Sequence, residues 1–313
     1  MSEIIGVFSR YSLKKDNFLS YHCSPCKIYK IMEEMKKIYG IKYLINNYEK
    51  EYKFAIVDRI NPKKKIKSKY ILNISEVQNT RPWSTHNCFI SPRTKNLRPV
   101  DFVLLNYCNG RKISAKRLSK SRSGCIYLGR LSSAAESKII FLNKKRKKID
   151  VYPTKYWISK KKHLRFHKED KDCLKNLNFL QDKYPDINFF APLNHKIMYK
   201  ALSAAGYKFG FVPSIYDFES KSQQHESSSK FFEYIGCGIP VLIEHNVPEA
   251  LLVRKNPFLG EIYYNRGDVI SKAKKLNTTE YNYLKILGYA NGNHFPDSRA
   301  SFIYKKFILN NRN

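Results

Sequence analysis

Apolar positions along this chain follow two rhythms that alternate from one end to the other. Short unbroken apolar runs at residues 3–8, 52–57, 70–74 and 102–105 are rich in Ile, Val, Phe and Tyr, and they predict buried strands. Between the first two, residues 26–39 change to helical spacing, with Ile28, Ile31, Met32, Met35, Ile38 and Tyr39 on one face. The second half repeats the alternation. Residues 123–129 predict a strand, 187–193 another, 196–205 a helix and 209–213 a further strand. A helix beginning among Ser227, Ser228 and Ser229 is stopped by Gly236 and Gly238, and residues 239–243 follow as a strand. A last helix is expected over residues 298–309, after a break marked by Asn291-Gly292-Asn293 and Pro296. Strands that alternate with helices imply parallel sheets with helical crossovers. The fold class is therefore α/β.

Candidate chemistry is densest at the start of the serine-capped helix. Serine side chains can cap a helix N-terminus, and its unpaired backbone N–H groups form a ready anion site. Lys230 brings a mobile positive charge to that end. Glu233 lies about one turn further in, within reach of a diol beside the anion. A diphosphate next to a ribose is the ligand this layout suits.

At these residues the chain resembles the nucleotide-sugar domain of GT-B glycosyltransferases, in particular the large retaining, family 4-type group. The signature of that group reads roughly K-x-x-E-Y-x-x-x-G-x-P-V. Lys230, Glu233, Tyr234, Gly238, Pro240 and Val241 fill it in order. The resemblance implies two Rossmann-like domains facing each other across a cleft, with a nucleotide-diphosphate sugar (a UDP- or GDP-sugar) as donor and no bound metal required. It assigns the diphosphate to Ser228, Ser229 and Lys230, and the ribose hydroxyls to Glu233. The Gly129-Arg130 turn after the 123–129 strand resembles the family's first C-domain strand, which aims an arginine at the donor phosphates. The planar fork of arginine suits that role. Leu193 and Asn194 would border the nucleobase. Where many members carry a second Glu eight residues before the ribose acid, this chain has His225, with Glu226 one position on. Those two are the candidates for the donor-sugar contact. Arg130 and Lys230 would also act catalytically, by stabilising charge on the leaving diphosphate.

A chain of 313 residues can bury two cores. The expected organisation is an acceptor domain over 1–118, a donor domain over 119–292, and a helix over 293–313 that crosses back to the first domain, as the resemblance implies. The basic stretch 110–124 would be the linker. Hydrophobic residues make up 42% of the chain and aromatics 14%, which excludes a disordered chain. No apolar run approaches the ~20 residues needed to span a bilayer. The start of the chain reads as a strand and not as a secretory signal. A cytoplasmic location is expected, with or without peripheral attachment to a membrane. Seven cysteines, an odd and scattered set, argue against a disulfide framework. Cys23-Ser24-Pro25-Cys26 has the spacing of half a zinc site or of a redox pair, yet no second Cys-x-x-Cys exists to complete a zinc site. Packed thiols are the expected reading, and no metal site is assigned.

Charge changes the picture of partners. Lys and Arg total 58 against 26 Asp and Glu, a net charge of +32, with clusters at 63–69, 111–122, 144–148 and 160–165. Such a field draws polyanions whatever the fold. Three readings stay open. One is an anionic membrane surface that presents a lipid-linked acceptor. Another is nucleic acid, either as acceptor of a DNA-modifying glycosyltransferase or as ligand of a binding protein with a vestigial nucleotide site. The third is a compositional bias toward Lys, Asn, Ile and Tyr.

The N-terminal half carries weaker signals. Asp16 or His22, after the first strand, could serve as base if the enzyme inverts configuration. Asp58 and Asp101 read as structural. Arg81-Pro82-Trp83 with His86 is an aromatic and basic cluster that could stack a sugar or a base, and the favoured reading is a turn whose Trp packs on the core. The expected activity is transfer of a sugar, with retention, to a hydroxyl on a glycan or glycolipid.

Overall fold

The computed structural model describes residues 3–9, 23–58, 60–75, 81–91, 94, 97–105, 108, 112–117, 122–129, 131, 133–144, 148–153, 178, 180–190, 195–214 and 228–312. The chain divides into two compact units. The first comprises Met1–Asn109, His225–Ser227 and Gly292–Asn313, and the second Gly110–Gln224 and Ser228–Asn291.

The first unit is built on a six-stranded sheet of β1 (Ile4–Ser9), β2 (Lys42–Ile45), β3 (Tyr52–Asp58), β4 (Ser68–Ser75), β5 (His86–Phe89) and β6 (Phe102–Val103). The strands are all parallel, in the order β2-β1-β3-β4-β5-β6. The apolar runs read from sequence fall on β1, β3, β4 and β6. Two strands escaped that reading for opposite reasons. β2 is short and half-exposed at the sheet edge, so its pattern is weak. β5 is fully buried, but it spells His-Asn-Cys-Phe, and its polar residues mask the apolar rhythm.

That polarity is compensated inside the sheet. The Asn87 backbone N–H donates to Asp101 Oδ1 at 2.8 Å, and Arg98 donates twice to the same carboxylate, each at 2.8 Å. Asn73 and Ser84 both donate to Asn87 Oδ1 at 3.0 Å. A buried amide paired this fully fixes strand register at little desolvation cost. Trp83 packs beside the cluster of Phe8, Tyr52 and Val57, in a turn closed by the Ser84 N–H on the Arg81 carbonyl.

The helix Cys23–Tyr39 buries Ile28, Ile31, Met32 and Met35 against Ile5, Val7 and Phe54. Into the same core goes the last helical segment, Pro296–Ile303 with its continuation through Ile308, by way of Ala300, Ile303, Phe307 and Ile308. It begins earlier than the sequence reading placed it. Pro296, read there as a break, occupies the first turn, where its missing N–H costs nothing.

The second unit holds β7 (Ser123–Gly129), β8 (Ile149–Pro153), β9 (Asn188–Phe189), β10 (Tyr207–Val212), β11 (Val241–Glu244) and β12 (Gly260–Tyr263), parallel in the order β12-β11-β10-β7-β8-β9. One face carries Cys125, Tyr127, Val151, Phe209 and Phe211, which pack against Ala135, Ile139 and Leu142 of the helix Ser133–Lys144. The carboxyl end of β11 is pinned by the buried acid Glu244. Lys138 Nζ lies 2.8 Å away, and the Ser214 N–H and the Tyr263 hydroxyl each donate at 2.9 Å. No described helix is long and apolar enough to cross a membrane.

Candidate functional site

In the second sheet the chain runs from β7 outward to β8 and β9, then crosses to β10 on the other side of β7. In open parallel sheets, ligands sit outside the carboxyl ends of the strands where the order reverses in this way. Here that point lies between β7 and β10, at Gly129 and Val212.

Gly129 ends β7 with φ of 115°, a backbone conformation that costs any other residue strain. Its lack of a side chain is used. The Lys230 side chain lies across it, so that a Cβ there would meet Lys230 Cδ at 3.4 Å and Nζ at 3.8 Å. The same ammonium lies 5.6 Å from the centre of the Tyr127 ring. Two positions far apart in sequence therefore form one cationic corner at the switch point.

The helix Ser229–Gly236 that carries Lys230 is buried along Phe231, Phe232, Glu233, Tyr234 and Ile235. Tyr234 locks it to the sheet. Its hydroxyl accepts the Leu128 N–H at 2.7 Å and donates to the Ile126 carbonyl at 3.2 Å, both on β7. Its ring rests on β10 at Gly210. Burial drives the Tyr234 phenol pKa far above its ordinary value, so the hydroxyl stays protonated. Gly238, at φ of 73°, turns the chain into β11, with the Gly238 N–H on the Ile235 carbonyl at 2.9 Å.

Glu233 lies one turn inside from Lys230 and is 3% exposed. Its Oε2 accepts a hydrogen bond from the Tyr199 hydroxyl, on the helix His195–Ala205. The acid is thus oriented by a neighbour before any ligand arrives. The helix N-terminus differs from the serine-capped one read from sequence. Ser228 takes the N-cap position, but its side chain makes no cap bond, and its buried Oγ has no hydrogen-bond partner among the described residues. The Ser228 N–H instead donates to Glu249 Oε2 at 3.0 Å, and Glu249 is fully buried. A protein carboxylate thus takes the N–H at the N-cap. The backbone N–H groups of the first turn, from Ser229 onward, point toward the N-terminal end of the helix.

The structure therefore brings together Gly129, Ser228, Ser229, Lys230 and Glu233 within one unit. Arg130, Leu193, Asn194, His225, Glu226, Asp16 and His22 lie outside the described residues. Sequence reasoning missed Tyr199 and Glu249. Tyr199 stands in a helical run with nothing to mark it. Glu249 carried a usable signal, being a lone acid in the apolar string Val247-Pro248-Glu249-Ala250-Leu251-Leu252.

No family model matches the chain, and no curated protein matches it. Among solved structures it is similar to AviGT4, a glycosyltransferase involved in avilamycin A biosynthesis. The two are 8% identical with a TM-score of 0.60, over 98% of this chain and 97% of that one. It is also similar, more distantly, to S. aureus MnaA solved with UDP, at 11% identity and a TM-score of 0.46 over 99% and 97%. The likeness to AviGT4 is one of fold. The two parallel six-stranded α/β units have the GT-B architecture.

Proposed function

We propose that this chain is a glycosyltransferase that moves a sugar from a nucleotide-diphosphate sugar to an acceptor hydroxyl. The observation that carries the reading is the placement of Lys230 across Gly129 at the switch point, with the oriented acid Glu233 one turn further along the same helix. A fold shared with a glycosyltransferase supports it. In this reading the first-turn N–H groups and Lys230 hold the diphosphate, with Arg130 joining them from the residue after β7. Glu233, held by Tyr199, accepts hydrogen bonds from the ribose hydroxyls. Leu193 and Asn194 border the base, and His225 and Glu226 meet the donor sugar.

Catalysis follows from charge. Breaking the bond between sugar and diphosphate leaves negative charge on the departing phosphate oxygens. A fixed ammonium and aligned N–H dipoles stabilise that charge more than they stabilise the bound donor. The same groups do the work a metal ion would otherwise do, so the reading calls for none. Retention is the proposed outcome, on the strength of the signature, with a UDP- or GDP-sugar as donor. The first unit would bind the acceptor, a glycan or glycolipid.

A thermal-shift panel of UDP-, GDP-, CMP- and dTDP-sugars tests the reading, because a ligand that binds only the folded state raises Tm. One class of nucleotide sugar should stabilise the chain and be slowly hydrolysed by it, and Glu233→Ala should abolish both effects. A panel with no responder would overturn the proposal.

A further inference from the structure

Many of the described lysines of the first unit gather at one end of its sheet, where the parallel strands begin. Lys42 opens β2, Lys53 is the second residue of β3, and Lys67 and Lys69 flank the start of β4 at Ser68; all four are exposed. The connection from β3 to β4 adds exposed Lys63, Lys64 and Lys65. The helix Cys23–Tyr39 ends at the same place, because the strand it leads into pairs its first residue, Lys42, with Ile4 at the start of β1. Exposed Lys36 and Lys37 lie in its last turn.

The final helical segment closes this surface. Tyr304 stacks on Tyr39 with ring centres 3.8 Å apart. Arg312 reaches Glu3 at 3.1 Å, and its carbonyl accepts from Lys53 Nζ at 2.6 Å. The acids here are mostly engaged. Glu3 pairs with Arg312, Glu34 with Lys37 and Glu49 with Lys64. The remaining charge is strongly positive.

We propose that this end of the first unit docks on an anionic phospholipid surface. Three features favour lipid over nucleic acid. Two large apolar side chains stand exposed among the lysines, Ile38 at 45% and Leu309 at 49%. A membrane interface takes up such side chains, whereas a phosphate backbone offers them no partner. The positive charge is almost all lysine, a point charge suited to a diffuse array of phosphates, whereas base reading relies on the arginine fork. Finally, Tyr39 and Tyr304 stack on one another, which leaves neither ring free on both sides to hold a base. Docking here would leave the carboxyl ends of β1 and β3 pointing away from the bilayer. The inference does not depend on the nucleotide-sugar reading.

The test is co-sedimentation of the full chain with vesicles of phosphatidylcholine alone or mixed with phosphatidylglycerol. The expected result is sedimentation with the mixed vesicles only, reversed at about 0.5 M salt, where screening shortens to a few Å. Changing Lys63, Lys64, Lys65 and Lys67 together to Glu should lower partitioning at least about tenfold, given the strength of a basic residue at such a surface. A control with the same change in net charge, made at exposed Lys208, Lys255, Lys274 and Lys275 of the second unit, should stay within about threefold of the parent. Ile38→Ser with Leu309→Ser, which leaves charge untouched, should also weaken binding. The proposal is overturned if the parent chain ignores the mixed vesicles, or if both lysine sets weaken binding equally. Loss of short duplex DNA binding by the first set, with vesicle binding intact, would assign the surface to nucleic acid instead.

Discussion

The ring of Tyr234 lies so close to Gly210 that a Cβ on that glycine would come within 2.3 Å of it. A helix and a central strand meet here with nothing between them. That contact, with the hydroxyl of the same tyrosine on the β7 backbone, sets where Lys230 and Glu233 stand relative to the strand ends. Gly210→Ala should destabilise the protein by about 1–3 kcal/mol, because overpacking on a buried ring leaves only backbone movement as relief. Chemical denaturation would measure it. Tyr234→Phe should cost about 1–3 kcal/mol through the bonds lost at Ile126 and Leu128.

Lys230 should matter to chemistry more than to folding. Its side chain is half-buried and spread over Gly129 and Tyr127, so Lys230→Ala leaves the helix intact. Under the proposed mechanism kcat should fall by about 100-fold or more, the range seen when one charge-stabilising donor is removed. Steady-state rates on a responding donor, beside an unchanged melting curve, would check this. A Lys230→Ala enzyme of full activity would remove the residue from the mechanism.

Gly129→Ala offers an independent probe of the same corner. At φ of 115° any side chain is strained, by about 1–3 kcal/mol, and the added methyl also presses on Lys230. Donor affinity should drop together with stability. Gly124→Ala, at φ of 67° on the same strand, should lower stability with donor affinity unchanged.

How much of this was legible in the sequence depends on burial. The α/β alternation was readable because parallel strands buried on both faces spell runs such as Ile4-Ile5-Gly6-Val7-Phe8, and Cys23–Tyr39 shows its helical stripe plainly. β5 was hidden because a satisfied Asn–Asp–Arg network replaces apolar side chains there. The corner of Gly129 and Lys230 was legible only as two separate motif fragments, since a contact across a hundred residues leaves no local trace. The serine cap misled. Three serines in a row suggested side-chain capping, but Glu249, twenty-one residues on, takes the Ser228 N–H instead.

His86 gives a pH dependence with a definite sign. Burial pulls its pKa below the ordinary value, while Asp101 opposes the shift and Arg98 adds to it. The unfolded chain therefore binds a proton more readily than the folded one. The stabilisation is fully present above the unfolded pKa of about 6.5, and is lost as pH falls below that toward the folded value. Thermal melts between about pH 7 and pH 5 should show this loss, and His86→Phe should flatten that part of the profile. An unaltered profile in the variant would assign the dependence elsewhere.

Phe307 tests the role of the last helical segment. It is fully buried, with its ring edge-on to Phe54 at 5.5 Å and to His86 at 5.1 Å. Phe307→Ala should cost about 3–5 kcal/mol, the usual price of an emptied aromatic site. Equilibrium unfolding would report it.

Glu233 is the residue on which nucleotide binding would depend most, and isothermal titration of nucleoside diphosphates onto the parent chain and Glu233→Gln tests this directly. The parent should bind one nucleoside diphosphate. Glu233→Gln, which keeps the shape and loses the charge, should weaken binding about 10-fold or more, as loss of a charged hydrogen-bond acceptor requires. Equal affinity in the two proteins would contradict the claim that this buried acid clasps the ribose.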